Sequence, residues 1–205
     1  MKIVAATGNQ DKVKEIREIL RDMDVTVITM KEAGLAVEPE ENGTTFEENA
    51  LIKARAVAEK AAESEEFRDA VVIADDSGLV IDALNGEPGV YSARYLGHET
   101  SYREKNADLV RRLAGVPDEK RTARFACVIA AVCPNGEILT AQAVMEGRIG
   151  YEERGENGFG YDPILYLPEY GRSCAELDGE EKNAISHRGK ALRLMRQKLM
   201  ELEER

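Results

Sequence analysis

The chain has 205 residues, a length typical of one domain that can bury a sizeable core without disulfides or structural metals. Its composition is 43% hydrophobic and 33% charged, with 17 glycines and 6 prolines, which excludes disordered, collagenous and low-complexity classes. The formal charge of −11 argues against a protein that coats nucleic acid or an anionic membrane. This negative charge is still compatible with a small anionic substrate, because a locally basic cleft or a bound cation can attract one.

The cysteines and the apolar runs indicate the compartment. Three cysteines without metal-ligand spacing are typical of buried, reduced thiols in a cytosolic protein. The first apolar run is too short for a signal peptide. The longest uncharged stretch, 125–136, is well short of the roughly 20 residues of a membrane span. We therefore expect a cytoplasmic protein with no membrane or nucleic-acid partner.

Strand and helix patterns alternate over the first part of the chain. An apolar run at 2–7 predicts a buried strand, and apolar spacing from Gln10 onward predicts a helix after it. A second strand is expected at 25–29 and a loop at 35–45. Thr45 then begins a helix through a capping box with Glu48, and a run of alanines in this helix suggests close packing against a flat surface.

The rest of the chain adds strands and two more helices. A buried strand at 71–74 is predicted to end in a corner at 75–78, with a further short strand after it. A second capping box, Ser101 with Glu104, predicts another helix. The pattern of 124–144 is that of a long hairpin. After the glycine-rich segment 155–163, a last helix is expected over 186–204. This order predicts an α/β fold with a mixed sheet.

The turn at 7–12 is the first candidate for chemistry, because a strand passes there into a helix. Free N–H groups at a helix N-terminus form an anion site, and Lys12 adds a full positive charge. The spacing of a standard P-loop is absent. The alternative is that Asn9 only caps the helix.

Two adjacent carboxylates, Asp75 and Asp76, follow the apolar strand at 71–74. Carboxylates at the end of a buried parallel strand lie at the edge where α/β proteins bind ligands. Adjacent carboxylates repel each other unless a cation or a hydrogen-bond network holds them, so Mg²⁺ is the expected companion. Side chains of neighbouring strand residues point in opposite directions. The alternative is that the segment 75–78 is a solvated turn without a ligand.

Two segments in the C-terminal part of the chain are also candidates for ligand binding. In the segment 158–163, aromatic residues between glycines can present ring faces to a ligand, or they can fill the core of a tight turn. In the segment 182–188, His187 and Arg188 would lie in the first turn of the last helix. Cations there oppose the helix dipole, which points to an anionic or carbonyl-bearing partner.

Taken together and in this order, the motifs resemble the inosine triphosphate pyrophosphatase family, whose members hydrolyse noncanonical purine nucleotides and are also called XTP/dITP diphosphatases. The matching segments are Thr-Gly-Asn-x-x-Lys at 7–12, Phe-x-Glu-Asn-Ala at 46–50 with Lys53, Ala-Asp-Asp-Ser-Gly-Leu at 74–79, Gly-x-Pro-Gly-x-Tyr-Ser-Ala-Arg at 86–94, Gly-Phe-Gly-Tyr-Asp-Pro at 158–163 and Lys-x-Ala-x-Ser-His-Arg at 182–188. Each motif alone is weak, but their common register covers nearly the whole chain.

This resemblance implies a magnesium-dependent hydrolase, usually a homodimer, with an elongated mixed α/β fold. Residues 1–205 would form a single domain of two lobes with a cleft between them. Such enzymes convert ITP, XTP and dITP to the monophosphate and pyrophosphate, which removes these nucleotides from the pool. A 6-oxo purine would offer an acceptor to Arg188, whereas adenine would leave the guanidinium unpaired. Guanine, which shares the 6-oxo group, would have to be rejected at its 2-amino group.

The same resemblance assigns roles to individual residues. Asp76 is the expected general base and a metal ligand, and Glu40 is the second metal-binding carboxylate, with Glu41 as its alternative. The positions that match phosphate or ribose contacts are Thr7, Gly8, Asn9, Gln10, Asp11, Lys12, Lys53, Ser77 and Lys182. The positions that match the base pocket are Phe159, Gly160, Tyr161, Asp162, His187 and Arg188.

Two other functions compete with this one. A related pyrophosphatase class, the septum-formation-inhibitor-like family, shares the opening motif and hydrolyses other nucleotides, including modified pyrimidine triphosphates. We do not expect its members to combine the motifs at 158–163 and 182–188. A non-catalytic nucleotide sensor is the other alternative, and the carboxylates Asp76 and Glu40 argue against it. A pure binder has little use for carboxylates beside a polyphosphate.

Overall fold

A computed structural model describes residues 1–203, which contain one seven-stranded sheet and five α-helices. The strands are β1 (Lys2–Ala5), β2 (Thr26–Thr29), β3 (Val71–Ile81), β4 (Thr122–Val132), β5 (Ile138–Ile149), β6 (Leu165–Leu167) and β7 (Arg172–Ser173). The helices are α1 (Gln10–Leu20), α2 (Phe46–Ala62), α3 (Tyr102–Arg112), α4 (Gly179–Ile185) and α5 (His187–Glu203).

The strand order in the sheet is β2-β1-β3-β4-β5-β6-β7. β1 pairs in parallel with both β2 and β3, whereas β6 pairs antiparallel with both β5 and β7. The sheet is therefore mixed, and the predicted α/β class is confirmed.

The chain divides into two compact units. Unit 1 consists of residues 1–76, 127–143 and those from 188 onward; unit 2 consists of 77–126 and 144–187. β3, β4 and β5 contribute residues to both units. The apolar core of unit 2 gathers residues such as Leu79, Leu109 and Ile164, all of them fully buried.

Within unit 1 the strands bury alternate residues in two separate apolar clusters. Ile3 and Ile73 pack in a cluster with residues of α1 and α5. Val4 and Val72 pack in the other cluster, with the alanines of α2. This is the period-two pattern of strands that are covered on both faces. The small side chains of α2 meet the strand residues, as the alanine run suggested.

The predicted helix starts are confirmed by their caps. The side chain of Asn9 caps α1, and Thr45 with Glu48 forms a capping box at α2. Ser101 with Glu104 forms another at α3. Each cap satisfies N–H groups that have no partner within the helix.

The sequence prediction for the segment after 71–74 is wrong. β3 runs without a break from Val71 to Ile81, so the corner expected at 75–78 and the separate strand after it do not exist. Buried ion pairs neutralise both carboxylates, so the strand need not end at them. The last helix, expected over 186–204, begins at His187, directly after the extended residue Ser186. The predicted end at Glu204 lies outside the described residues.

The hairpin of β4 and β5 is confirmed, and its strands are longer than the sequence pattern indicated. Among the helices of residues 1–203, none combines the length and the apolar character needed to span a membrane.

Candidate active site

The alternation of β3 turns Asp75 and Asp76 of unit 1 toward opposite faces of the sheet. Asp75 follows the register of the cluster that contains α1 and α5, and its Oδ2 lies 3.0 Å from Lys12 Nζ and 3.2 Å from Arg188 Nε. Asp76 follows the register of the α2 cluster, and its Oδ1 accepts a hydrogen bond from Lys53 at 2.8 Å. Asp75 is therefore paired with cations from α1 and α5, whereas Asp76 is paired with a lysine from α2.

Asp75 is the anionic centre of a buried ion network. Burial alone would raise its pKa, but Lys12, Arg188 and Lys53 together hold that pKa far below the usual range of an aspartate. Arg188 also donates from Nη1 to Glu15, and its guanidinium is buried. Burial opposes the charge of Arg188, but its carboxylate partners raise its pKa further above the ordinary value.

Asp76 forms a second network with the loop before α2. Lys53 Nζ donates to Asp76 Oδ1 at 2.8 Å and to Glu41 Oε2 at 2.9 Å, so the lysine bridges two carboxylates. Burial raises the pKa of Asp76 above its ordinary value, although Lys53 acts in the opposite direction. Burial would lower the pKa of Lys53, but the charges of Asp76 and Asp75 raise it, which keeps the ammonium charged.

The carboxylates around Lys53 have the chemistry of a site for a hard cation. Asp76 Oδ2 is buried and has no hydrogen-bond partner in the described part of the chain. Glu41 is half-buried beside it, whereas Glu40 is exposed on the same loop. Residues 1–203 contain no group of three or more acidic, histidine or cysteine side chains placed to hold a metal ion. Mg²⁺ generally needs only one or two carboxylates, together with waters and substrate phosphates, so this donor set fits it.

The turn at 7–12 has a defined internal structure. Asn9 Oδ1 accepts the N–H groups of Asp11 and Lys12 at 2.9 and 3.2 Å, and Thr7 Oγ1 accepts the N–H of Asn9 at 3.2 Å. The capping role of Asn9 is thus confirmed. Gly8, Gln10 and Asp11 are exposed. Phosphate binding by this turn stays a prediction.

In unit 2, the segment 158–163 is organised around a buried ion pair. Asp162 Oδ2 accepts the Phe159 N–H at 2.8 Å and lies 2.7 Å from Lys182 Nζ. The same ammonium lies 4.8 Å from the centre of the half-exposed Phe159 ring, a cation–π contact. Lys182 and Asp162 are themselves buried. The Phe159 ring therefore lies against a buried ion pair.

Tyr161, next to this ion pair, is part of the core. It is 4% exposed, and its hydroxyl donates to the backbone oxygen of Ser92 at 2.6 Å. Of the two aromatics in the segment, Phe159 presents a ring to the surface and Tyr161 fills the interior. His187, also predicted for the base pocket, is buried and stacks on Phe125 with 5.0 Å between ring centres.

Two supporting residues of unit 2, Ser92 and Asn106, are not among the predicted site residues. Ser92 accepts the N–H of Leu79 at 2.9 Å in addition to the Tyr161 contact, so it joins β3 to the aromatic segment. Asn106 of α3 donates to the carbonyl of Gly160 at 3.2 Å. Ser92 lies in the motif at 86–94, which could have indicated it. Asn106 lies in an ordinary amphipathic helix, and nothing in its sequence context marks it.

The predicted site residues thus fall into two groups. Unit 1 brings together Lys12, Lys53, Asp76 and Arg188, and unit 2 brings together Phe159, Gly160, Tyr161, Asp162 and Lys182. Ser77 is half-buried in β3. Unit 2 also has a pocket of about 220 Å³ whose lining includes Arg148, Tyr151 and Arg154, and no predicted site residue lines it.

The sequence model of the Ham1 family matches residues 3–198. The chain belongs to the Ham1 family. A relative from Desulforamulus reducens, named dITP/XTP pyrophosphatase, is 51% identical over 193 residues, which are 94% of this chain and 92% of the relative. A dITP/XTP pyrophosphatase from Clostridium perfringens is 45% identical and covers 97% of both chains. The family that the six motifs predicted is therefore confirmed.

Solved Ham1 structures share the fold of this Ham1-family chain. The HAM1 protein from Coxiella burnetii superposes with a TM-score of 0.86 at 44% identity, covering 98% of this chain and 99% of the other. The Ham1 protein of Staphylococcus aureus gives a TM-score of 0.85 at 40% identity, covering 99% and 100%.

Proposed function

We propose that this Ham1-family protein hydrolyses dITP, XTP and ITP to the corresponding monophosphate and pyrophosphate, and so removes noncanonical purines from the nucleotide pool. The observation that carries the proposal is the 51% identity, over nearly the full length of both chains, to a protein named dITP/XTP pyrophosphatase. The buried carboxylate and lysine groups of unit 1 supply the chemistry that such a reaction needs.

Asp76 is the proposed general base. A water molecule attacks the α-phosphorus and gives a proton to the Asp76 carboxylate, while the bond from that phosphorus to the bridging oxygen of the β-phosphate breaks and pyrophosphate leaves. Support comes from the buried Asp76 Oδ2, which no described residue engages, and from the raised pKa of this carboxyl group. A raised pKa strengthens a carboxylate as a proton acceptor.

Mg²⁺ is the proposed cofactor, and Asp76 with Glu40 or Glu41 would hold it. When bound, the ion withdraws charge from the phosphate oxygens and stabilises the developing pyrophosphate. Of the two glutamates, Glu41 is the favoured ligand, because Lys53 donates hydrogen bonds to both Glu41 and Asp76. Comparing the magnesium dependence of Glu40→Gln and Glu41→Gln separates the two.

The remaining predicted residues have proposed binding roles. Lys12, Lys53, Lys182, Ser77 and the turn from Thr7 to Asp11 would hold phosphate and ribose. Phe159 would stack on the purine, since an aromatic face is worth about 1–3 kcal/mol per base in single-strand binders. Gly160, Tyr161, Asp162, His187 and Arg188 would complete the base recognition.

Selectivity for 6-oxo purines would come from cationic donors that meet the O6 acceptor. An adenine amino group cannot accept these hydrogen bonds, and a buried donor left without a partner lowers the rate by orders of magnitude. Arg188 was predicted to be this donor. Its Nε and Nη1 are engaged by Asp75 and Glu15, so recognition by Arg188 would use another part of the guanidinium or require exchange of partners.

We also infer a homodimer that works in the cytoplasm and has no nucleic-acid or membrane partner. The net charge of −11 disfavours association with polyanions. The three cysteines are free and buried, which suits a reducing compartment.

The direct test is an assay of pyrophosphate release by the purified protein. dITP, XTP and ITP are compared with ATP, GTP, TTP and a methylated pyrimidine triphosphate, with Mg²⁺ or with a chelator. We expect fast release from dITP, XTP and ITP, slow release from the other nucleotides, and loss of activity with the chelator. A preference for TTP or UTP derivatives, or the absence of turnover, would overturn the proposal.

The same assay tests the role of Arg188. In Arg188→Ala we expect the ratio of the ITP and ATP rates to fall, because a donor for O6 is lost. This ratio does not depend on the fraction of folded protein, so destabilisation by the substitution does not disturb it. An unchanged ratio places the discrimination on other residues.

A further inference from the structure

A buried amide ties the loop that carries Glu41 to helix α2. Asn49 Oδ1 accepts the N–H of Gly43 at 2.9 Å, and Asn49 is 1% exposed. Two residues before Gly43, Glu41 reaches Lys53 Nζ at 2.9 Å. Asn49 and Lys53 are four residues apart in α2 and thus lie on the same side of the helix. One face of α2 therefore fixes this loop at two points.

The loop passes so close to α2 that only glycine fits at position 43. A Cβ on Gly43 would lie 2.6 Å from Asn49 Oδ1 and 2.7 Å from the Cβ of Glu48. The next two residues are held as well, since Glu48 Oε2 accepts the N–H groups of Thr44 and Thr45 at 2.6 and 3.1 Å. The loop is therefore clamped onto the first turn of α2.

The orientation of the Asn49 amide follows from these contacts. Its oxygen must face the Gly43 N–H, which leaves Nδ2 on the other side, buried and without a hydrogen-bond partner among the described residues. The contact that Asn49 makes with the loop thus depends on an acceptor atom alone. An aspartate keeps this acceptor, and a leucine of similar size removes it.

We propose that Asn49 is a positioning residue, which holds Glu40 and Glu41 in place for the cation through its hydrogen bond to Gly43. The inference rests on the proposed function, because it concerns the carboxylates that would share Mg²⁺ with Asp76. Without the bond, the loop samples positions in which its carboxylates lie away from Lys53 and Asp76. A cation then binds only the ordered fraction, which weakens its apparent affinity.

The test compares Asn49→Leu, Asn49→Asp and Gly43→Ala, with Glu59→Gln on the exposed side of α2 as the control. The first measurement is hydrogen exchange of the backbone amide at position 43 by NMR, in the protein without metal. The second is the Mg²⁺ concentration that gives half-maximal pyrophosphate release from dITP, together with kcat at saturating Mg²⁺.

In Asn49→Leu and Gly43→Ala we expect faster exchange at position 43 and a half-saturating Mg²⁺ concentration about two- to tenfold higher, the range that one net hydrogen bond implies. The kcat at saturating Mg²⁺ should change less than this concentration does. Asn49→Asp should retain the protection of the Gly43 amide, and the control should match the wild type.

Other outcomes overturn the inference. Unchanged exchange at position 43 in Asn49→Leu would show that the bond does not hold the loop. Faster exchange with unchanged magnesium dependence would show that the loop does not position the carboxylates. Gly43→Ala provides the same readouts if Asn49→Leu does not fold. If the wild-type protein releases no pyrophosphate from dITP, the proposed function fails, but the exchange measurement still tests the clamp.

Discussion

The two adjacent aspartates are chemically different although both lie in the same strand. Asp75 is paired with Lys12 and Arg188, and its pKa is held far below the usual range. Asp76 shares one lysine with Glu41, and burial raises its pKa. One carboxylate is thus held in its ionised form, and the other is the one proposed above to accept a proton; under that proposal the pair divides structural and catalytic roles.

The substitution Asp76→Asn tests whether this residue is the general base. The amide keeps the size of the side chain but cannot accept a proton from water, so we expect kcat for dITP to fall by about 10²- to 10⁴-fold, the usual contribution of a general base. Binding of dITP, measured by calorimetry, should persist. The control is Asp69→Asn, an exposed aspartate just before β3. Substantial turnover by Asp76→Asn would show that another group is the base.

Among the elements, the segment 158–163 has a steric demand that bears on the proposed base pocket. Gly158 has a φ of +73°, and a Cβ there would collide with the Asp162 carboxylate that receives Lys182 and the Phe159 N–H. The geometry under the Phe159 ring therefore depends on the absence of a side chain at Gly158. The conformation of this glycine-rich segment is thus held by a specific hydrogen bond and an ion pair.

Gly158→Ala should therefore separate Asp162 from Lys182 and disturb the Phe159 ring. We expect KM for dITP to rise about tenfold or more, a loss comparable to that of one stacked base, about 1–3 kcal/mol. Steady-state kinetics check this. Gly179→Ala in the first turn of α4 is the control, because no atom lies within 4 Å of its added methyl group. A KM equal to that of the wild type would exclude this segment from base binding.

For the whole molecule, the buried Asp75 network predicts how stability depends on pH. Asp75 has a lowered pKa in the folded state, so the unfolded chain binds a proton more readily than the folded protein. The stabilisation is complete above the unfolded pKa of about 3.9 and is lost as the pH falls below it. Urea unfolding at several pH values should show this loss.

In Asp75→Asn the acid-dependent part of the stability should shrink, and the protein should be less stable near neutral pH, because Lys12 and Arg188 lose a buried partner. Asp82→Asn is the comparison. Asp82 also has a lowered pKa, caused by Arg124 and Thr122, but its side chain is 45% exposed, so solvent screens its ion pair. Equal acid slopes for the wild type and Asp75→Asn would contradict the prediction.

Much of the architecture followed from local rules. Capping boxes placed the starts of α2 and α3, and strand alternation implied that Asp75 and Asp76 point in opposite directions. The same local rules failed at β3, where an Asp-Asp-Ser-Gly sequence read alone favours a turn. Tertiary ion pairs neutralise the carboxylates there and allow the strand to continue.

The sequence by itself determined the mixed α/β class, the family and the identity of the charged residues, because periodicity, caps and motif spacing are local properties of the chain. Only the tertiary structure decided which charged residues form ion pairs with each other. Arg188 pairs with Asp75 across 113 positions of sequence, and Glu41 rather than Glu40 contacts Lys53. Ser92 acquired its contacts in the same way, since hydrogen bonds to Leu79 and Tyr161, 13 and 69 positions away, depend on how the chain folds back and leave no periodic signal in the sequence.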